Sequence, residues 1–298
     1  MTYTAWILVT ASLVGISCGI VGVFLILRKM AMMADAISHT VLLGIVMAYL
    51  LTHSLSGIHM VIGAAITGII TTFLVQWFHS KGVGQDASIG VVFTTLFAIG
   101  VILIATKVGN AHLDVQHALM GEISFVPWNT IFVPVLGEIP LATLMLLVVL
   151  VVVILVIGLF YKEWKLTTFD PSLAASIGIP VLGMHYLFMT LVSITTVASF
   201  DAVGAIMVVA MLITPAASAY LWTDKLLVMI GLSASFGVIS AIMGYYFALW
   251  IDTSISGSMA FATGVIFLIS FICSPRHGLL SKTFGTEGQV PRPSLPRD

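Results

Sequence analysis

Residues 22–44 read GVFLILRKMAMMADAISHTVLLG, and this stretch decides the fold. It begins at the end of an apolar run from Trp6 to Leu27, crosses the basic pair Arg28-Lys29, and enters a second apolar run that carries Asp35 and His39. A membrane-spanning helix needs about 20 apolar residues, so the first run reads as a span, the basic pair as a turn at the membrane surface, and the second run as the return. Positions i and i+4 share a helix face, so the Asp35 carboxylate and the His39 imidazole project from one stripe. Ionisable groups at that depth are costly and mark ion or substrate paths. A carboxylate with an imidazole is also half of a binding site for a divalent transition metal. A hydrogen-bonded pair that locks two helices together is the competing interpretation at this point.

The rest of the chain agrees with a membrane setting. Of its 298 residues, 60% are hydrophobic and only 8% charged, with a mean hydropathy of +1.17; a soluble domain carries roughly 25% charged residues. The net charge of −1 gives no reason to expect nucleic acid as a partner. Cys18 and Cys273 both fall in apolar segments without metal-type spacing, which excludes a disulfide framework and a thiolate metal site. No basic residue precedes the first apolar run. That is the reverse of a cleaved signal peptide, so the run is expected to be retained.

Apolar stretches place nine spans near 5–27, 35–51, 60–78, 89–106, 140–160, 181–199, 202–221, 226–250 and 259–273, with 199–204 also readable as the junction of a span and a half-helix. With the amino terminus outside, Arg28, Lys29, Lys81, Lys162, Lys165, Lys225, Arg276, Lys282, Arg292 and Arg297 fall inside and only Lys107 outside, as the positive-inside rule requires. The outer face then holds His53, His59, His112, His117, Asp114, Glu122, Glu138 and Asp252, a composition that concentrates cations.

Two stretches are too polar to span. Residues 107–139, with Gly109-Asn110, Pro127 and Pro134, are expected to form an outer loop with short or re-entrant helices. Residues 161–180 form the longest inner loop. There Asp170-Pro171 signals a helix start and Gly178-Ile179-Pro180 a stop, giving either a short capped helix for a partner protein or a plain connecting turn. Gly15, Gly19 and Gly22 form a small face for close helix packing. Thr214-Pro215 is expected to break a helix inside the bundle. Residues 1–275 are read as one transmembrane permease domain and 276–298, rich in Gly, Pro and Ser, as a disordered cytoplasmic tail.

No GxxxxGK motif followed by Ser or Thr occurs, so ATP is not bound in the P-loop manner, and no HExxH motif supports an intramembrane protease. Transport remains. A secondary transporter driven by an ion gradient commonly shows an internal repeat, which this chain lacks. An ATP-driven permease needs a docking segment for a separate ATPase, which 161–180 can supply.

The chain resembles permeases of the manganese/zinc/iron ABC importer family from about Gly19 to Ser274. The similarity rests on residues 22–44, with their basic pair, D-A-x-S-H and glycine; on Gln85 to Phe93; on Leu113-Asp114 with Gly121-Glu122; on Phe169 to Pro180; and on Val203 to Ala217. The resemblance implies an all-α fold of the cobalamin-importer type in a bacterial plasma (inner) membrane. It also implies a second permease subunit, expected to be an identical copy, around a central path. A cytoplasmic P-loop ATPase dimer would dock on Asp170, Pro171, Ser172, Leu173, Ala174, Ala175, Ser176, Ile177 and Gly178. An extracytoplasmic metal-binding protein would deliver the ion. Asp35 and His39 would be the intramembrane metal contacts, and Asp114 and Glu122 an outer metal pathway. The permease itself would be no enzyme and hold no permanent cofactor, only transported metal. Mn2+ is expected first, then Zn2+ or Fe2+, because a carboxylate with an imidazole and no thiolate suits all three and the motif wording is closest to the manganese branch. Glu122 stands where the family usually has Asp, and Asp252 lacks the family's following proline.

Overall fold

The computed structural model describes residues 3–52, 57–107, 123–133 and 137–274. Four helices come first: α1 (Tyr3–Leu27), α2 (Ala31–Thr52), α3 (Gly57–Ser80) and α4 (Gln85–Lys107). A 3-10 turn (Ile123–Trp128) and a hairpin of β1 (Thr130–Val133) and β2 (Gly137–Pro140) lead into α5 (Leu141–Leu159). Two short helices, α6 (Tyr161–Phe169) and α7 (Pro171–Ser176), precede α8 (Val181–Val203), α9 (Ala205–Trp222), α10 (Leu226–Ile251) and α11 (Ile255–Cys273). Among the described residues nine helices are long and apolar enough to cross a membrane, α1 to α5 and α8 to α11, as the apolar runs predict.

The most enclosed helix is α1, which packs on α10, α9, α5 and α8, while α4 is the least enclosed. In lipid the hydrophobic effect does not drive helices together, so close backbone approach and van der Waals contact must. The small face of α1 provides this. A Cβ on Gly15 would lie 2.7 Å from the Gly237 carbonyl carbon of α10, and Ser233 of α10 donates its hydroxyl to the Gly19 carbonyl at 2.8 Å. Gly22 is pressed equally close to the backbone of α9 at Leu212.

The turn after α1 has the Schellman pattern. Met30 N–H donates to the Leu25 carbonyl at 2.9 Å and Lys29 N–H to that of Ile26 at 3.0 Å. Lys29 takes the left-handed position at φ 58°. Asp252 does the same at the end of α10, again at φ 58°, with Thr253 N–H donating to the Ala248 carbonyl at 3.2 Å. The position of Asp252 is thus accounted for as a helix cap.

The two spans read at 181–199 and 202–221 are separate helices, α8 and α9, joined by a single residue, Gly204, whose φ of +80° and ψ of 166° suit only glycine, so the alternative of a span and a half-helix falls. Three sequence expectations change. Pro215 does lie buried inside the bundle, but it does not break its helix; α9 runs through it. The inner loop contains two helices rather than one, because Tyr161–Phe169 also winds up, around the fully buried Trp164. Of the outer loop, residues 123–133 and 137–140 form the 3-10 turn and the paired strands of the hairpin, in which Ile131 pairs with Ile139 and Phe132 with Glu138; the hairpin had no strong signal in the sequence. Residues 108–122, including Asp114 and Glu122, and the tail from 275 onward lie outside the described residues.

Candidate functional site

Asp35 and His39 lie on the second and third turns of α2, on its less buried side. Met33, Ala34, Ala36, Ile37, Ser38 and Thr40 around them are all buried. Ser38 turns back to donate to the Asp35 carbonyl at 2.7 Å, and Thr40 meets Thr71 of α3 through their hydroxyls at 2.9 Å. The second bond ties the buried side of α2 to α3, and the two ionisable side chains stand on the other, less buried side. His39 Nε2 stands 3.5 Å from Asp35 Oδ1, and the side chains are 38% and 37% exposed.

That geometry bears on the interpretation of the pair as a lock between helices. A lock between helices needs its partners on different helices, whereas here both belong to α2. Half-exposed donors on one helix instead have free lone pairs for a ligand. The imidazole is steered by two rings of α4: Phe93 has its centroid 5.8 Å away at a 30° tilt, and Phe97 lies 5.9 Å away, nearly edge-on. Phe93 ends the Gln85-to-Phe93 motif, and no spacing argument gave it or Phe97 a role. The signal was aromatic recurrence at i and i+4 on α4, which matches ordinary helix packing equally well.

Two donors do not complete a coordination shell, since Zn2+ takes four ligands and harder ions about six. Among the described residues no group of three His, Cys, Asp or Glu side chains comes together. Beyond His39 the same face of α2 continues through Leu43, Met47 and Leu51 at fourfold spacing. All three, with Ile66 of α3 and Ile99 and Leu103 of α4, line a groove of about 540 Å3. The groove is almost entirely apolar, and His59 stands at its far end.

The predicted docking segment sits at the opposite end of the helices from His59. Asp170 caps α7 by accepting the Leu173 N–H at 2.9 Å, Pro171 occupies the first turn, and Gly178 leaves the helix at φ +87°. Ala174 is buried and pins α7 to the bundle. Phe169, Leu173 and Ile177, each four residues apart, are 57%, 48% and 61% exposed. They form a discontinuous apolar stripe along a polar connecting segment, since the non-helical Asp170 separates Phe169 on α6 from Leu173 and Ile177.

Residues 1–274 match the ABC 3 transport family. The chain is 58% identical to the manganese transport system membrane protein MntD of Bacillus subtilis, over 96% of this chain and 97% of that one. It is 40% identical to the zinc transport system membrane protein TroD of Treponema pallidum, over 94% of this chain and 76% of that one. Its fold is that of a chain in the structure of PsaBC from Streptococcus pneumoniae in complex with Fab, with a TM-score of 0.79 at 33% identity over 95% of this chain and 96% of the other. The chain therefore belongs to the ABC 3 transport family.

Proposed function

We infer that the chain is the membrane-spanning permease subunit of an ATP-driven importer of divalent metal, with Mn2+ as its cargo. The observation that carries this is the half-exposed Asp35–His39 pair, 3.5 Å apart inside a span. In hydrocarbon such a pair is costly; beside a path for cations it is a stepping point. The donor set admits Mn2+, Fe2+ and Zn2+, and the 58% identity to a manganese transport protein, against 40% to a zinc one, favours Mn2+.

The partners follow from what the chain lacks and displays. It has no P-loop, so ATP hydrolysis falls to a separate pair of cytoplasmic ATPase subunits, and the stripe of Phe169, Leu173 and Ile177 suits a groove on such a partner. The basic-residue distribution puts that stripe inside and the amino terminus outside. Asp35, His39 and the apolar groove beside them need a protein cover, and a second permease subunit facing its twin would supply both the cover and the missing ligands. An extracytoplasmic metal-binding protein would present the ion to the outer face, where Asp114 and Glu122 would form a waiting position. Membership of the ABC 3 transport family counts against a carrier driven by an ion gradient.

The test is uptake of radiolabelled Mn2+ into liposomes containing the complex purified from its native membrane, with Zn2+ and Fe2+ as competitors. Uptake should require ATP and stop when the ATPase is stripped away. Uphill uptake by the permease alone, driven by a proton or sodium gradient, would sink this interpretation.

A further inference from the structure

Arg28, the first member of the basic pair, lies just beyond the end of α1 and is folded inward rather than out to water. Its Nε donates to Thr168 Oγ1 at 3.1 Å and its Nη2 to Thr167 Oγ1 at 3.0 Å, both on α6. Thr167 in turn donates to the Glu163 carbonyl at 2.8 Å, so its hydroxyl both accepts and donates. The guanidinium carbon lies 5.4 Å from the ring centre of Trp164 and 4.9 Å from that of Phe188 on α8. Those two rings and Phe24 of α1 form a triangle with centroid separations of 5.7, 6.1 and 6.1 Å, all three fully buried. Burial lowers the Arg28 pKa to about 10, which leaves it charged at neutral pH. Among the described residues no carboxylate pairs with it, so hydroxyl acceptors and aromatic faces carry the charge.

A cation used only to mark membrane topology would be cheaper in water. This one joins three elements that have different tasks. Behind it, α6 runs directly into Asp170 and the exposed stripe of α7. Ahead of it, the tight turn at Lys29 leads to α2 and Asp35. Beneath it lies a cavity of about 200 Å3, lined by Arg28 with Met33 of α2, Gln76 and His79 of α3, Gln85 of α4 and His185 of α8. The turn has no slack: its two hydrogen bonds and the left-handed Lys29 make α1 and the start of α2 one rigid corner. A displacement of α6 must therefore pull on that corner or break both threonine bonds.

We propose that Arg28 is a positioning residue that transmits movement of the docking arm α6–α7 to the α1–α2 corner bearing Asp35 and His39, through its paired bonds to Thr167 and Thr168. This rests on the interpretation of α7 as the ATPase docking site. Arginine suits the task because its planar fork holds two acceptors in fixed directions while stacking on aromatic rings, which a lysine ammonium cannot do.

The test uses the complete complex purified from its native membrane and reconstituted in liposomes, with Mn2+ uptake and phosphate release measured together. Thr167→Val with Thr168→Val keeps the Arg28 charge and the aromatic seat, and removes both acceptors together with the Thr167 bond to the Glu163 carbonyl inside α6. ATP hydrolysis and equilibrium Mn2+ binding should stay close to wild type while Mn2+ moved per ATP falls about tenfold, the scale of a coupling loss. Arg28→Lys should fall in the same direction. An unchanged ratio of Mn2+ to ATP overturns the proposal. So does a parallel fall of uptake and hydrolysis, or loss of the ATPase from the purified complex, since either makes the contact one of folding or docking. If the double variant does not accumulate, the single Thr168→Val variant carries the same measurement. Failure of the wild-type complex to move Mn2+ with ATP would instead refute the transport reading itself.

Discussion

Gly44 of α2 and Gly63 of α3 bring their helices together backbone to backbone. A Cβ on Gly44 would lie 2.7 Å from the Ala64 Cα, and one on Gly63 would lie 2.5 Å from the Gly44 carbonyl oxygen. This contact, five residues beyond His39, fixes the rotation of α2 about its axis and so the direction in which Asp35 and His39 point.

Gly44→Ala should therefore strain the α2–α3 seam without touching a donor. Overpacking of this kind costs about 1–3 kcal/mol. The thermal midpoint of the purified protein should fall, and uptake with it. A midpoint equal to wild type would mean that α2 and α3 part at little cost.

Asp35→Asn keeps size and removes charge, and His39→Ala removes a proposed ligand. Loss even of an outer-shell partner typically weakens a metal site 10–100-fold, so each change should lower Mn2+ uptake by at least about tenfold. Membrane abundance, followed by immunoblot, should not change, because both side chains are half exposed and the contact between them lies within α2. Disappearance of both variants from the membrane would mark the pair as structural.

Asp114→Asn combined with Glu122→Gln should slow uptake mainly at low Mn2+ concentration, as expected if the carboxylates gather ions outside the path. The measurement is the concentration dependence of initial uptake rates. Unchanged dependence at normal expression would leave these residues a role only in the outer loop.

At Lys29 the left-handed backbone costs an L-residue roughly 1–2 kcal/mol. Lys29→Gly should thus hold or raise thermal stability, and Lys29→Val should lower it. The opposite order in a melting experiment would contradict the Schellman turn.

The large features were legible because each rests on local chemistry. Nine spans follow from the length of the apolar runs. The α7 start follows from Asp170-Pro171, where one side chain caps and the next has no N–H to lose. Asp35 and His39 stood out because polarity is expensive in lipid. What stayed hidden depends on contacts between distant segments. Phe93 and Phe97 are ordinary apolar residues until α4 packs beside α2, and the β1–β2 hairpin lacks the alternation and turn pair that announce one. Pro215 was misread because a proline breaks an isolated helix, whereas neighbouring helices in the bundle hold this one together. Arg28 looked like one more basic residue at the inner surface, and only the fold of α6 over it reveals its acceptors.

The exposed stripe of Phe169, Leu173 and Ile177 also bears on how many copies of the chain survive in the cell. If the stripe docks on a cytoplasmic ATPase as proposed, a molecule made in excess of that partner would display three unshielded apolar side chains, a signal by which chaperones and membrane proteases recognise unassembled subunits. Its lifetime is then set by its partner's supply: co-production of the ATPase should lengthen its half-life in a pulse-chase experiment, and Leu173→Ser should free that half-life from dependence on the partner. Through this one surface, assembly and turnover of the transporter become a single equilibrium, in which the complex is kept and the surplus is removed.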